Sequence, residues 1–234
     1  MNETDKIKPS KIQMSETKLV IGLLAVAGGF LDAYTYICRG KVFANAQTGN
    51  MVLFGIHLAD GEIETACYYL LPILAFAMGV VISDRMRMHY NKKSHFHWRQ
   101  WVLFIEILAL TGSIFLPQGN YDTIANTIVS FVCSLQVQSF RKIAGKACAT
   151  TMCTGNLRSG TDLLNKYWST KEKKDFRAAM HYFGIIAEFI IGAIIGAFLT
   201  TWFGLPAVLF AVAALLAVFI FLFYEEEGKQ KMFM

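Results

Sequence analysis

Two Thr-Gly-Asn tripeptides, Thr48-Gly49-Asn50 and Thr154-Gly155-Asn156, interrupt otherwise apolar stretches of this 234-residue chain. Three charged residues accompany them inside or beside such stretches: Asp32, Glu188 and Arg158. Ionisable groups within lipid-length segments are costly, and they usually face a bundle interior or a water-filled cavity along an ion or proton path. In the first tripeptide, Gly49 permits unusual backbone angles. Thr48 and Asn50 are suited to cap a half-helix running through Met51 to Leu58. A half-helix start presents free N–H groups and a positive dipole, so two such turns suit an anionic group near a membrane midplane. With the polar Asn45 and Gln138 added, the candidate solute-binding set is Asp32, Asn45, Thr48, Gly49, Asn50, Gln138, Thr154, Gly155, Asn156, Arg158 and Glu188. A plainer role fits the same residues. The glycines would let helices pack closely while the polar side chains bond nearby backbone, and Asp162, one turn beyond Arg158, would pair with it.

Glu188 shares a helical face with Gly184, Gly192 and Gly196, a stripe that marks a close helix contact, and is a good candidate for a buried proton-carrying or pairing carboxylate. Glu106, five residues into its apolar segment, reads as lying near the cytoplasmic interface. His57 and His181 stand at apolar edges and read as interfacial. The five cysteines form no CxxC pair and accompany no histidine cluster, so they read as small membrane residues, with no metal or cofactor expected. No HExxH, GxSxG or P-loop pattern occurs, which argues against an enzyme or an ATP-driven pump. An intramembrane enzyme would have to enlist Asp32, His57 and Cys153.

The elements carrying these residues are membrane-length. The chain is 55% hydrophobic and only 17% charged, against about 25% in a soluble domain, so lipid is the expected solvent. Crossing a hydrocarbon core of about 30 Å takes roughly 17 to 25 apolar residues. Leu19–Cys38, Ala66–Ser83, Ile185–Phe203 and Leu205–Tyr224 meet this clearly, while Trp101–Leu116 and Ile124–Phe140 are shorter. The expectation is an all-α polytopic bundle of about six full spans, with Val42–Leu58 and Ala147–Leu164 as broken or re-entrant segments. Ala25-Val26-Ala27 imitates a signal-peptidase site, but cleavage there would discard most of a segment that stays apolar to Cys38, so no cleaved leader is expected. Trp98, Trp101 and Trp168 stand where an aromatic belt would.

Basic residues set the orientation. Lys6, Lys8, Lys11 and Lys18 form one group, Arg85, Arg87, Lys92, Lys93 and Arg99 a second, and Arg141 through Arg177 a third, with Lys229 and Lys231 at the tail. All fall on the cytoplasmic side if the two broken segments enter and leave on the same side, with only Arg39 and Lys41 facing out. The acidic connection Asp60, Glu62 and Glu64 and the Pro117–Thr123 loop then lie outside. The formal net charge of +5 thus reflects topology rather than a nucleic-acid patch.

Self-similarity supports this plan. Gly40-Lys41 and Gly145-Lys146 precede the two tripeptides at nearly equal distances. Tyr69–Gly79 aligns without gaps on Tyr182–Gly192, with Phe76 on Phe189 and Ala75 opposite Glu188. The organisation read from this is a cytoplasmic tail over 1–17, a first repeat over 18–116, a second over 117–224 and a cytoplasmic tail over 225–234. Three crossings per repeat is an odd number, so the second repeat is inverted, as in secondary transporters with a site between broken helices.

Gly28-Gly29-Phe30-Leu31-Asp32-Ala33-Tyr34, then Phe43-Ala44-Asn45 and Thr48-Gly49-Asn50, with Leu157-Arg158 after the second tripeptide, resemble the YoaK-type family of bacterial membrane proteins of unknown function. The resemblance runs over nearly the whole chain, and it implies a bacterial inner-membrane location. The expected function, drawn from architecture, is a secondary transporter or permease for a small polar or anionic solute, proton-coupled through Asp32 or Glu188, with homo-oligomerisation left open. A non-transporting scaffold or sensor using the basic loops is the alternative.

Overall fold

A computed structural model describes residues 17–90, 97–143 and 146–231, without the side chains of 143, 146, 147 and 225–231. Lys6, Lys8, Lys11, Lys92, Lys93 and Gly145, invoked above, lie outside the described residues. Among those described, the chain forms eight α-helices: α1 Lys18–Cys38, α2 Gln47–Ala59, α3 Ile63–His89, α4 Trp98–Ser113, α5 Asp122–Ser139, α6 Cys153–Thr170, α7 Lys173–Phe203 and α8 Val208–Lys231. A hairpin pairs Lys142–Ile143 with Lys146–Ala147, and a short 3-10 turn over Leu205–Ala207 links α7 to α8. Among the described residues, four segments are long and apolar enough to cross a membrane: α1, α3, α7 and Leu205–Tyr224. At 1.5 Å per residue, the 16 residues of α4 and 18 of α5 reach only about 24 and 27 Å. The broken segments Val42–Leu58 and Ala147–Leu164 do not form continuous helices: each holds a non-helical stretch followed by a helix, α2 or α6.

Helix α1 is the central element. Ile21, Leu24, Ala25 and Tyr34 are wholly buried, and Val20, Ala27, Phe30 and Leu31 nearly so, which covers the full turn of the helix. Its largest interface is with α7. There, a Cβ on Gly192 would sit 2.0 Å from the Val26 carbonyl oxygen and one on Gly29 would sit 1.9 Å from that of Phe189. Only glycine lets the backbones come so close. Gly196 makes the next contact, at Phe30, so the pairs advance together along both helices and α1 and α7 run parallel. Gly184, expected in the same stripe, has open space around it. Helices α3 and α5 are parallel in the same way, with Gly79 against Phe131 and the Ser83 and Ser139 hydroxyls 2.9 Å apart.

The principal packing partners survive an exchange of α1 with α5, α2 with α6, α3 with α7 and α4 with α8. Under it the α1–α7 interface maps onto α5–α3, α2–α3 onto α6–α7 and α1–α8 onto α5–α4, while α4–α8 and α1–α5 map onto themselves. The outer faces of α3 and α7 expose Leu74, Met78, Val81, Ile190, Ile194 and Phe198, a surface matched to lipid tails.

Two placements could not be read from the sequence. Arg39, expected on the outer side, is wholly buried within the bundle. Its Nη1 donates to the Leu116 carbonyl at 2.9 Å and pairs with Asp122 at 3.3 Å, and its Nη2 donates to the Ser113 carbonyl at 2.9 Å. The turn that follows α4 has few backbone donors to offer, and one guanidinium serves the carbonyls of Ser113 and Leu116 together. Trp98 is buried beside Val102 and Leu135, with the Arg99 guanidinium 4.8 Å from its ring, whereas Trp101 and Trp168 are exposed as a belt requires.

Candidate functional site

Beyond Cys38 the chain turns at Gly40 and Lys41, both with positive φ (77° and 62°), and runs back down α1. It stops at Gly28, the midpoint of the 21-residue helix, about 15 Å from the helix end. Two bonds hold it there. The Asn45 side chain donates to the Gly28 carbonyl at 2.9 Å, and the Asn45 backbone N–H donates to Asp32 Oδ1 at 3.0 Å. Gly28 and Asp32 are one turn apart and therefore share a face. Asp32 is 8% exposed, and its role in this conformation is to hold the first break. From α5, the Ser130 hydroxyl donates to the Ala44 carbonyl at 2.6 Å, closing the other side.

The second break arrives at the same place from α5. A Cβ on Gly28 would lie 2.5 Å from the Thr151 methyl. The Thr151 hydroxyl is 3.2 Å from the Cys133 thiol, and Gln136 Nε2 donates to Thr150 at 2.8 Å and to the Leu24 carbonyl of α1 at 3.2 Å. Both breaks thus converge between α1 and α5, where buried polar side chains replace the backbone partners that lipid cannot supply. The sequence reading named Gln138 on α5. The side chain that reaches the break is Gln136, and Gln138 stands half-buried two residues further on.

The tripeptides are placed differently from expectation. Helices α2 and α6 start one residue before them, at Gln47 and Cys153, and neither N-terminus carries a side-chain cap. Gly49 and Gly155 are not among the positive-φ glycines, and both have open space around them. Thr48, Gly49, Thr154 and Gly155 are exposed, whereas Asn50 and Asn156 are each 2% exposed. The asparagines act backwards upon the breaks. Asn156 donates to the Ala149 carbonyl at 2.6 Å and accepts from the Ala149 N–H at 3.3 Å, and Asn50 donates to Gln47, which itself donates to Ala44 at 2.8 Å. The caps predicted from Thr48 and Asn50 are therefore absent, because residues already inside the first turn cannot reach its leading N–H groups.

Arg158 and Asp162 are highly exposed on α6 and lie 3.9 Å apart, an i,i+4 pair. Glu188 is half-buried, with its carboxylate against the bare backbone of Gly22 on α1, four residues above Lys18. It is thus separated by more than a helical turn from the Gly28 level at which the breaks meet. His57 pairs with Glu62 at 2.8 Å and stacks on Tyr69, so it does not join Asp32 and Cys153. Glu106 is wholly buried on α4 between Leu103 and Leu110, and neither carboxylate oxygen has a hydrogen-bond partner. Its position in the segment could not show this, since burial depends on which face of α4 is covered. Among the described residues, no cluster of three or more histidine, cysteine or acidic side chains could hold a metal ion.

A central glycine-rich helix, two breaks meeting at its midpoint and lipid-matched outer faces define a multi-pass membrane protein. The chain belongs to the DUF1275 family, described as proteins of unknown function, whose model matches residues 20–221. It is similar to the UPF0700 transmembrane protein YoaK of Bacillus subtilis (strain 168), at 25% identity over 168 residues, which covers 67% of this chain and 72% of the relative. No solved structure matches it.

Proposed function

We propose that the chain is a six-span secondary transporter or permease for a small polar or anionic solute, built as an inverted 3+3 repeat in the bacterial cytoplasmic membrane with both termini inside. One observation carries this reading: two interrupted segments from opposite halves meet at the midpoint of α1, held by Asn45 on one side and Thr151 on the other. Secondary transporters place substrate between such broken helices. The label exchange that preserves the helix packing supports the duplication, and the parallel pairs α1–α7 and α3–α5 support the inversion. The first turn of α6 lacks a side-chain cap, which suits it to an anion, whereas in α2 the Gln47 and Gly49 N–H groups already donate to the Asn45 and Ala46 carbonyls. Arg158 lies on the exposed face of α6, on the path a solute would take from inside. Asp32, at the meeting of the breaks, is the coupling carboxylate of this scheme, and solute binding there exchanges against its hold on Asn45. The chain performs no covalent chemistry in this reading.

Single cysteines at Glu62, His89, Asn120 and Ser169, in a cysteine-free background, test the topology. Positions 62 and 120 label from outside with an impermeant maleimide, and 89 and 169 only after the membrane is opened. Labelling of 89 or 169 from outside eliminates the inverted repeat. Uptake of a small-anion panel into proteoliposomes, with a pH-sensitive dye inside, then tests transport, and the absence of any solute-driven flux rejects it.

A further inference from the structure

Beyond each break, a helix is tied to the span that follows it by an ion pair and a ring contact. In the first half, His57 stands in the last turn of α2, and its ring Nδ1 lies 2.8 Å from the carboxylate of Glu62, the residue that leads into α3. The same ring stacks on Tyr69 of α3, with centroids 5.3 Å apart and planes within 3° of parallel. In the second half, Lys166 of α6 lies 3.1 Å from the Asp175 carboxylate in the first turn of α7, and the Tyr167 and Phe176 rings meet at 5.1 Å. Glu62 and Asp175 are spaced as Tyr69 and Tyr182 are, so the repeat places the two carboxylates at equivalent positions. The tie matters most for α2. Asn50 is its one buried residue, α3 is its principal packing partner, and Met51, Val52, Ile56 and Leu58 are exposed. Its leading end is held through Asn50 and Gln47 to Ala44, and its trailing end through His57.

The two ties differ in chemistry. An ammonium keeps its charge at neutral pH, whereas imidazole gains and loses its charge between about pH 5 and 8. As imidazolium, His57 gains twice. It makes a charge-assisted bond to Glu62, and the two charges sit at the helix ends that favour them, the cation in the last turn of α2 and the carboxylate at the start of α3. As neutral imidazole it keeps the ring stack and an ordinary hydrogen bond at most. The hold on α2 is therefore full in acid and weakens as the pH rises. The other ionisable groups of this turn are Asp60, which ends α2, and Glu64, which accepts from the Tyr68 hydroxyl at 3.3 Å, and as carboxylates neither reverses this sign. We propose that His57, Glu62 and Tyr69 form a pH-operated clasp, which locks α2 onto α3 when the outer solution is acidic and frees it toward alkaline pH, while the Lys166–Asp175 clasp inside does not respond. Because α2 carries the first Thr-Gly-Asn, the clasp sets the freedom of the first break. Its outward position and its effect on a solute path rest on the transport reading above, but its response to pH does not.

Hydrogen–deuterium exchange of the full-length chain in nanodiscs, read on the peptide spanning 47–59, measures the hold. Each variant is compared with the parent at the same pH, so the intrinsic pH dependence of exchange cancels. His57→Gln should exchange about three- to tenfold faster than the parent at about pH 5.5, the value of an exposed ion pair at a helix end, and the ratio should fall toward one at about pH 8. His57→Lys, with a permanent charge, should match the parent in acid and exchange more slowly than the parent at about pH 8. Glu62→Gln should remove the pH response by itself, which keeps the test readable if His57→Gln fails to fold. Three results overturn the proposal: a His57→Gln ratio that is the same at both pH values, a His57→Lys chain that follows His57→Gln, or an equal pH-linked change in the peptide spanning 153–170. None of these readouts needs a solute, so their failure leaves the transport reading to its own test.

Discussion

Replacing Gly192 by alanine inserts one methyl group where α1 and α7 touch. The new Cβ would lie 2.0 Å from the Val26 carbonyl oxygen, whereas such contacts essentially never fall below 3.0 Å. The helices must therefore part by about 1 Å, and neither atom is the end of a flexible side chain. Overpacking of this kind costs about 1–3 kcal/mol. Alanine regains about 0.8–1.0 kcal/mol of helix propensity, so the net loss is about 0–2 kcal/mol. Gly184→Ala, on the same helix with nothing within 4 Å, keeps the propensity gain alone and should stabilise by up to about 1 kcal/mol. The two variants differ by one methyl each yet should move stability in opposite directions. Reversible unfolding in mixed detergent micelles, followed by circular dichroism, measures both. The separation of α1 and α7 should also loosen the Gly28 level, so that Cys153 in Gly192→Ala reacts faster with maleimide than in the parent. Equal shifts for the two glycines, or a stabilised Gly192→Ala, would refute the close backbone contact as the reason α1 and α7 pack as they do.

Three further outcomes follow from the breaks and the buried arginine. Asp32→Asn retains an oxygen for the Asn45 N–H and should leave stability nearly unchanged while abolishing solute-driven proton movement in proteoliposomes. Asp32→Leu should also lose about 1–3 kcal/mol by orphaning that N–H, and a stable Asp32→Leu would contradict the geometry. Asn156→Leu removes both bonds to Ala149 and should destabilise by about 2 kcal/mol and raise protease cutting between α5 and α6, whereas Leu157→Ala, one residue on and exposed, should do neither. Arg39→Met strips the Ser113 and Leu116 carbonyls and Asp122 of their shared partner. It should cost roughly 3 kcal/mol in the same unfolding assay, where Lys41→Met should have little effect.

What the sequence by itself determined is carried by length, composition and spacing. A run of apolar residues long enough for the bilayer reads the same whatever its neighbours, and the four clearest runs are the four helices able to cross a membrane. That Val42–Leu58 and Ala147–Leu164 are interrupted was legible from the basic-residue pattern and the repeated tripeptides, although the tripeptides themselves fall inside α2 and α6. So was family membership, since Gly28 to Tyr34 and the two tripeptides form a fixed pattern. Direction around a helix and depth along it were not. Whether Gln136 or Gln138 meets the second break, and whether Asn50 or Thr48 turns inward, depends on which face of α5 or α2 is covered, and a neighbour 100 residues away sets that. The stripe on α7 shows the same limit: Gly192 and Gly196 touch α1 while Gly184, level with the start of α1 at Lys18, has nothing within 4 Å. That Arg39 is buried was decided by the carbonyls at and beyond the end of α4, some 75 residues later, and that Glu106 is buried by the packing of α4 into the bundle. Hydrophobicity is a property each residue carries alone, so it can be read in one dimension. Hydrogen-bond satisfaction and close backbone contact belong to pairs, and only the tertiary structure decides which residues are paired.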